Sequence, residues 1–264
     1  MKAIVQRGYG SAEKLELADI SVPTIGDDGV LVRVRAASVN SLDWRLIMTP
    51  PLVTDPLFRL LFQGRPMPNG SVPGSDHAGI VEAVGKNVTR FAPGDEVIGF
   101  RRGSFAQFVA GKETHFAPKP KGVTFEEAAA LPHAGLVALQ GIRDHGRVKR
   151  DQRVLINGAS GGIGHLAVQI AKSAGASVTA VCGARAAGMV RSIGADHVID
   201  RSQTDFTRTS ETYDVIFDVA ADRPFGRLER LLAPGGRVVL CGAPSHWLAL
   251  LITCLLYTSP SPRD

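Results

Sequence analysis

Arg153-Val154-Leu155-Ile156-Asn157-Gly158-Ala159-Ser160-Gly161-Gly162-Ile163-Gly164 decides the fold of this chain. Val154 to Ile156 form a short apolar run, as in a strand buried on both faces. Glycine then recurs at 158, 161, 162 and 164, and from Ile163 to Ala174 the apolar spacing becomes helical, with Gly175 as the stop. A strand, a glycine-rich turn and a helix N-terminus in direct succession form a cradle for a dinucleotide pyrophosphate. The turn needs residues that tolerate positive φ. Side chains in it would hold phosphate away from the backbone amides, whereas the first N–H groups of the helix and its positive dipole end attract an anion. Gly164 lets the helix pack close to the strand. An ordinary strand-to-helix turn would need fewer glycines. Gly158, Ala159, Ser160, Gly161, Gly162, Ile163 and Gly164 are therefore the expected cofactor contacts.

Beyond this loop the pattern repeats. Ser177–Cys182 reads as a strand, a helix runs to about Ile193 and stops at Gly194, and His197–Asp200, Asp214–Asp218 and Arg237–Cys241 read as further strands. Strand–helix alternation predicts right-handed crossovers and a parallel sheet. Cys241 and Gly242, at the end of the last of these strands, join the expected cofactor contacts. The end of the second strand selects the cofactor. An NAD site commonly has a carboxylate there for the ribose 2′-hydroxyl. Here the segment is Cys182-Gly183-Ala184-Arg185, with no carboxylate to repel a 2′-phosphate and a guanidinium able to pair with one. NADPH is the expected cofactor, with Arg201 as a second candidate contact. Each arginine also has a plain reading as surface charge.

Before residue 115 the texture is of short strands and turns. Leu31–Ala36 alternates apolar and basic residues, as a half-buried strand does. Pro93-Gly94-Asp95 reads as a turn before the apolar Val97–Phe100. Prolines at 50, 51, 56, 66, 68 and 73 predict a loop or broken helix over residues 50–73. Thr124 and Glu127 make a capping box, and Pro132 should interrupt a helix that resumes through Leu136, Leu139 and Ile142.

Composition narrows the function classes. A length of 264 residues favours two domains, and 44% hydrophobic against 21% charged residues suffices for a buried core. No apolar run reaches about 18 residues, so no membrane span is expected. Met1-Lys2-Ala3-Ile4-Val5 is strand-like and carries no secretory pattern. Cys182, Cys241 and Cys254 form no C-x-x-C, which argues against a disulfide framework or a cysteine-rich zinc site and for a reducing cytoplasm. The net charge of +5 comes without a run of five basic residues, so a nucleic-acid partner is not expected.

Taken together, the motifs resemble the medium-chain dehydrogenase/reductase superfamily, in particular its zinc-independent quinone oxidoreductase (zeta-crystallin-like) branch. Ala37–Asp43 is similar to that branch's active-site loop, and Pro73–Gly85 to the superfamily's GHE-type signature. Pro93–Val97, Gly103–Gln107, Ala129–Pro132, the glycine loop, Gly194–Asp200 and Pro234–Arg237 match as well. The resemblance covers roughly residues 1–250. It implies an α/β protein: a GroES-like β-barrel domain over 1–120, and a Rossmann domain with a doubly wound parallel sheet over 121–253. The nicotinamide would lie in the cleft between the two. Zinc-dependent members have Cys where Asn40 stands and His where Ser75 stands, and neither Asn40 nor Ser75 is a normal zinc ligand. The structural zinc lobe is missing too, since no cysteine precedes Cys182. No metal is therefore expected, and His77, with no second His or Cys nearby, reads as a packing residue.

By the same resemblance Asn40 is the catalytic candidate, placed to hydrogen-bond the cofactor or the substrate oxygen. The implied activity is NADPH-dependent hydride transfer to quinones or small α,β-unsaturated carbonyls. A reductase of conjugated lipids or enoyl thioesters, and a non-catalytic nucleotide- or RNA-binding relative, are the alternatives. Residues 254–264 continue neither strand nor helix and read as a non-native or disordered tail on a truncated chain. Family members pair as homodimers through their last sheet strand. That strand is missing here, which leaves dimerisation of this chain open.

Overall fold

The computed structural model describes residues 1–48 and 70–241. The remaining segments hold most of the proline-rich stretch, Gly242, the apolar Leu248–Ile252 and the 254–264 tail, and these lie outside the described residues. Contacts divide the chain into two units, Met1–His133 and Ala134–Asp264.

In the first unit β1 (Lys2–Gln6) pairs antiparallel with β2 (Leu15–Asp19). The main sheet is built from β3 (Gly29–Ser38), β4 (Asp76–Val84), β5 (Glu96–Phe100), β6 (Phe108–Lys112) and β7 (Phe116–Pro118), in the order β6-β3-β4-β5-β7, antiparallel throughout. The period-2 pattern of β3 is realised: Val30 and Val32 are buried while Arg33 and Arg35 face solvent. Val30, Val32, Val81, Phe91, Val97, Val109 and Phe116 form the core of this sheet. Helix α1 (Ser41–Met48) follows β3 directly.

The Thr124–Glu127 capping box is formed, with Thr124 Oγ1 accepting the Glu127 N–H at 3.2 Å and Glu127 accepting the Thr124 N–H at 2.8 Å. It starts α2 (Phe125–Ala129), whose Ala128 and Ala129 pack on Ala78 of β4. This packing draws residues 121–133 into the first unit. Pro132 ends that run and opens α3 (Pro132–Leu139), a first-turn position where its missing N–H costs nothing. A π-helical stretch, Gln140–His145, continues it.

The second unit is a five-stranded parallel sheet. Its strands are β8 (Arg153–Asn157), β9 (Ser177–Cys182), β10 (His197–Asp200), β11 (Tyr213–Asp218) and β12 (Leu232–Leu240), in the order β10-β9-β8-β11-β12. Helices α4 (Gly164–Ser173), α5 (Ala187–Ser192) and α6 (Phe225–Glu229) lie in the connections. The order reverses direction between β8 and β11, the point where open α/β sheets take their ligands. β12 begins earlier than the predicted Arg237. Leu232 pairs with Tyr213, the register then jumps, and Arg237 pairs with Val215, so the Pro234-Gly235-Gly236 turn bulges within the strand. Among the described residues no helix is long and apolar enough to cross a membrane.

His77 is fully buried in β4 and meets the edge of Phe116 with ring centroids 5.6 Å apart. Burial pushes its pKa down from 6.5 to about 4, the Ser75 backbone acting weakly the other way. Neither ring nitrogen has a partner at hydrogen-bonding geometry. Below pH 6.5 the unfolded chain takes a proton that the folded chain refuses until about pH 4. The stability carried by neutral His77 is thus complete above pH 6.5 and lost toward pH 4, by about 3 kcal/mol in all. Denaturant midpoints measured over that range should show the loss, and His77→Phe should flatten it. An equal slope in both proteins would place the acid sensitivity in another group.

Candidate functional site

The glycine loop leaves β8 at Asn157. The Asn157 Nδ2 donates to Asp218 Oδ1 and to Asp222 Oδ1, both at 2.9 Å, and the Ala221 N–H donates to Asp218 Oδ1 at 2.9 Å. Asp218 is fully buried, and it ties together the ends of the two strands that flank the switch in strand order. Burial raises its pKa, opposed by the Ala221 and Asn157 hydrogen bonds. Gly158 then turns the chain at φ +84°, and the amides of Gly158 and Ala159 both donate to the Val181 carbonyl at 3.1 Å. A Cβ on Gly164 would collide with the Gly158 carbonyl oxygen. These two glycines are demanded by the fold itself.

Gly162 differs, because a Cβ there would meet nothing within 4 Å, and the same holds for Gly183 after β9. No intramolecular contact requires glycine at either place, so the absent side chains leave room for something else. The amides of Gly162, Ile163 and Gly164 have no acceptor among the described residues, and no side chain caps α4. Free donors, an open cradle and the positive end of a ten-residue helix fit a dinucleotide pyrophosphate.

Arg185 lies in the 3-10 turn Ala184–Ala186 directly after β9, exposed, with no ion-pair or hydrogen-bond partner among the described residues. Arg201 follows β10. Its amide donates to the Cys182 carbonyl at 2.9 Å, and it too is exposed. Asp200 is the nearby carboxylate that the sequence reading did not weigh. Its Oδ1 accepts the Ser202 N–H at 2.9 Å and Oγ–H at 2.7 Å, and these bonds, with the Ala184 backbone, hold its pKa down. Cys241 follows β12 and donates its amide to the Asp218 carbonyl at 2.9 Å. Burial pushes its thiol up to about 11, helped by the Asp218 charge, so the sulfur stays protonated at neutral pH. The parallel sheet thus brings the glycine loop, Arg185, Arg201 and Cys241 to one edge, where the strands end.

Asn40 stands in the first unit between β3 and α1, in a polar net. Its Nδ2 donates to Ser38 Oγ at 3.1 Å and to Asp76 Oδ2 at 3.2 Å. Its backbone N–H donates to Asp43 Oδ2 at 2.9 Å, and Asp43 Oδ1 accepts the Ser75 Oγ–H at 2.6 Å. Asp76 Oδ2 also accepts the His133 N–H at 3.1 Å. Asp43, Ser75 and Asp76 are buried. Burial raises the pKa of Asp76, while the His133 backbone and Asn40 pull it back. Val39, Trp44 and Phe100 are exposed apolar residues on the segments around this net. Among the described residues no group of three or more His, Cys, Asp and Glu side chains is placed to hold a metal.

Residues 26–141 match the family model of the alcohol dehydrogenase GroES-like domain, and residues 162–261 that of the zinc-binding dehydrogenases. The chain is 33% identical over 253 residues to a chloroplastic quinone-oxidoreductase homolog of Spinacia oleracea, covering 90% of this chain and 74% of that one. This chain belongs to the medium-chain dehydrogenase/reductase superfamily, in its quinone oxidoreductase-like branch. A chloroplastic NADPH-dependent alkenal/one oxidoreductase of Arabidopsis thaliana is 34% identical over 261 residues, covering 92% of this chain and 63% of its own length. The structure of the quinone oxidoreductase from Coxiella burnetii superposes with a TM-score of 0.75 at 26% identity, covering 97% of this chain and 87% of that one. The GroES-like and Rossmann folds of this superfamily are the two folds described above.

Sequence reasoning named Asn40 as a candidate but not its hydrogen-bond partners Ser38, Asp43 and Asp76, nor the Ser75 bond to Asp43. The motif spacing brought those residues together without saying which atom bonds which. The fold also separates two kinds of glycine in the reductase loop. Gly164→Ala should cost about 1–3 kcal/mol through the clash with Gly158, a fall of several degrees in melting temperature. Gly162→Ala should leave stability within about 0.5 kcal/mol. Thermal denaturation of the two variants checks this, and equal losses would mean that both positions serve packing.

Proposed function

We propose that this chain is a zinc-independent, NADPH-dependent reductase that transfers hydride to quinones or small α,β-unsaturated carbonyls. The observation that carries the proposal is the sheet edge at which loop amides without an acceptor among the described residues and the open cradle at Gly162 lie, with Arg185, unpartnered among the described residues, following the adjacent strand. When bound there, NADPH supplies the hydride. The amides of Gly162, Ile163 and Gly164 hold its pyrophosphate, and Ala159, Ser160 and Gly161 shape the turn around it. Arg185 pairs with the 2′-phosphate through its guanidinium fork, and Arg201 adds positive charge beside it. Asp200, whose carboxylate lies against the Ala184 backbone, also accepts from Ser202. Cys241 lines the same edge as a neutral thiol.

The chemistry of the first unit favours a mechanism without metal. Asn40 and Ser75 stand where zinc-dependent relatives place ligands, and both spend their donor groups inside the net. A quinone or an enone needs no Lewis acid to accept hydride, and its reduced form takes its last proton from solvent. Val39, Trp44 and Phe100 are exposed apolar side chains on the segments around the net, of a kind that suits conjugated electrophiles. The names of the spinach and Arabidopsis relatives point to the same substrate classes. A reducing compartment such as the cytoplasm fits the free thiols Cys182 and Cys241.

Oxidation of NADPH by phenanthrenequinone in the presence of the purified chain tests the activity, and no rate above the protein-free control would overturn it. Arg185→Ala should weaken NADPH binding by about 10- to 100-fold, the worth of a charge-assisted bidentate contact. NADH binding should barely change. An equal loss for both cofactors would show that Arg185 acts through packing. Elemental analysis of active protein should find no stoichiometric zinc, and one tightly held zinc per chain would sink the metal-free mechanism.

A further inference from the structure

The first unit carries a cavity of about 720 Å3 that hydride transfer does not use. Its walls are the segment from Ile20 to Gly29, the Arg101–Gly103 turn and β6, all in the first unit, whereas the glycine loop belongs to the second. β6 is the last strand of its sheet, so one of its edges is open. The Val34 N–H donates to the Gln107 carbonyl, and alternation from that bond turns the Ala110 N–H away from β3 onto the open edge. Three basic side chains, Arg101, Lys112 and His115, also line the cavity. The Lys112 N–H donates to His115 Nδ1 at 3.2 Å, which puts the ring proton of the neutral imidazole on Nε2. His115 is therefore a donor whether neutral or charged. Burial lowers its pKa, and the charges of Arg101 and Lys112 lower it further, so the three groups lie close enough to repel one another. Neither the Arg101 and Lys112 side chains nor the His115 Nε2–H has an acceptor among the described residues. The two carboxylates that line the cavity are engaged elsewhere. Asp27 pairs with Lys86 at 3.0 Å, and Asp28 Oδ1 accepts the Asn87 Nδ2–H at 2.9 Å. Arg102, on the same wall, has partners of its own.

Like charges held together with no counter-charge disfavour the folded chain, and an anion between them removes that cost. Two cations and an imidazole N–H match the double charge and three oxygens of a phosphate monoester better than the single charge of a carboxylate. The rest of the lining includes Ile20, Pro23, Ile25, Val72 and Phe108. A bare anion needs neither that apolar surface nor that volume, which is in the range of pockets for small organic ligands. We propose that this cavity binds an organic phosphate monoester. Its phosphate lies on Arg101, Lys112, the His115 Nε2–H and the Ala110 N–H, and its apolar body along Ile20, Pro23, Ile25, Val72 and Phe108. The site is complete within the first unit and stands independently of the reductase reading.

Isothermal titration calorimetry at constant ionic strength tests this on the full chain, with phenyl phosphate as the ligand and inorganic phosphate, benzoate and phenol as references. Phenyl phosphate should bind saturably, and about 10-fold or more tighter than each reference. Arg101→Ala and Lys112→Ala should each weaken it by about 10-fold or more, the worth of a charge-assisted hydrogen bond. Both side chains are exposed, so neither substitution should move the melting temperature. No saturable binding of phenyl phosphate, or binding that neither substitution weakens, would overturn the inference. Binding that NADPH displaces and that both variants keep would put the phosphate on the glycine loop and overturn it equally. Benzoate bound as tightly as phenyl phosphate would overturn the choice of a phosphate. Inorganic phosphate bound as tightly would overturn the apolar half of the site.

Discussion

Gly158 and Gly164 come together across the first turn after β8, and the nucleotide-binding half of the molecule depends on that approach. With no Cβ at Gly164, α4 starts against the Gly158 carbonyl, and its first N–H groups emerge at the end of the strand. A side chain there would push the helix outward and move its donors and its dipole off the sheet edge. The buried Asp218 and Asn157 brace the same point by joining β8 to β11 where the strand order reverses. Backbone donors without an internal acceptor are unfavourable in a finished fold. Here they persist at an exposed loop, in the arrangement an anionic ligand completes.

The first unit buries polar side chains and pairs some of them internally: Asp43, Ser75 and one oxygen of Asp76 are bonded, while Asp76 Oδ1, both His77 ring nitrogens and Ser104 Oγ have no partner among the described residues. Asp43 and Asp76 are buried carboxylates, and each collects donors from Asn40 and from a neighbouring serine hydroxyl or backbone amide. Such a net resists rearrangement, because any member that turns leaves another without a partner. The side chains of Asn40 and Ser75 are both turned into this net, onto Ser38 and Asp76 and onto Asp43.

Fold legibility followed the strength of local signals. The β8–α4 junction, the β9 strand and the capping box at Thr124 were readable to within a residue or so, because apolar period, glycine stops and cap chemistry are local. The start of β12 was not, because the bulge at Pro234–Gly236 is set by pairing with β11, which no local pattern encodes. The packing of α2 on β4 was also out of reach, since Ala128 and Ala129 look the same in any buried helix.

The sequence by itself determined the superfamily and the strand, glycine turn and helix of the β8–α4 junction, because residue type and spacing suffice where the backbone demands a particular residue. The tertiary structure alone decided three further things. It distinguished glycines required by the backbone, Gly158 and Gly164, from glycines left open, Gly162 and Gly183. It showed Asp200, at the end of β10, accepting two hydrogen bonds from Ser202. And it fixed the partners of the Asn40 amide nitrogen, Ser38 and Asp76. Hydrogen bonds join atoms from distant parts of the chain, Asn40 to Asp76 and Asp43 to Ser75, and their direction exists only once folding has brought those atoms within reach.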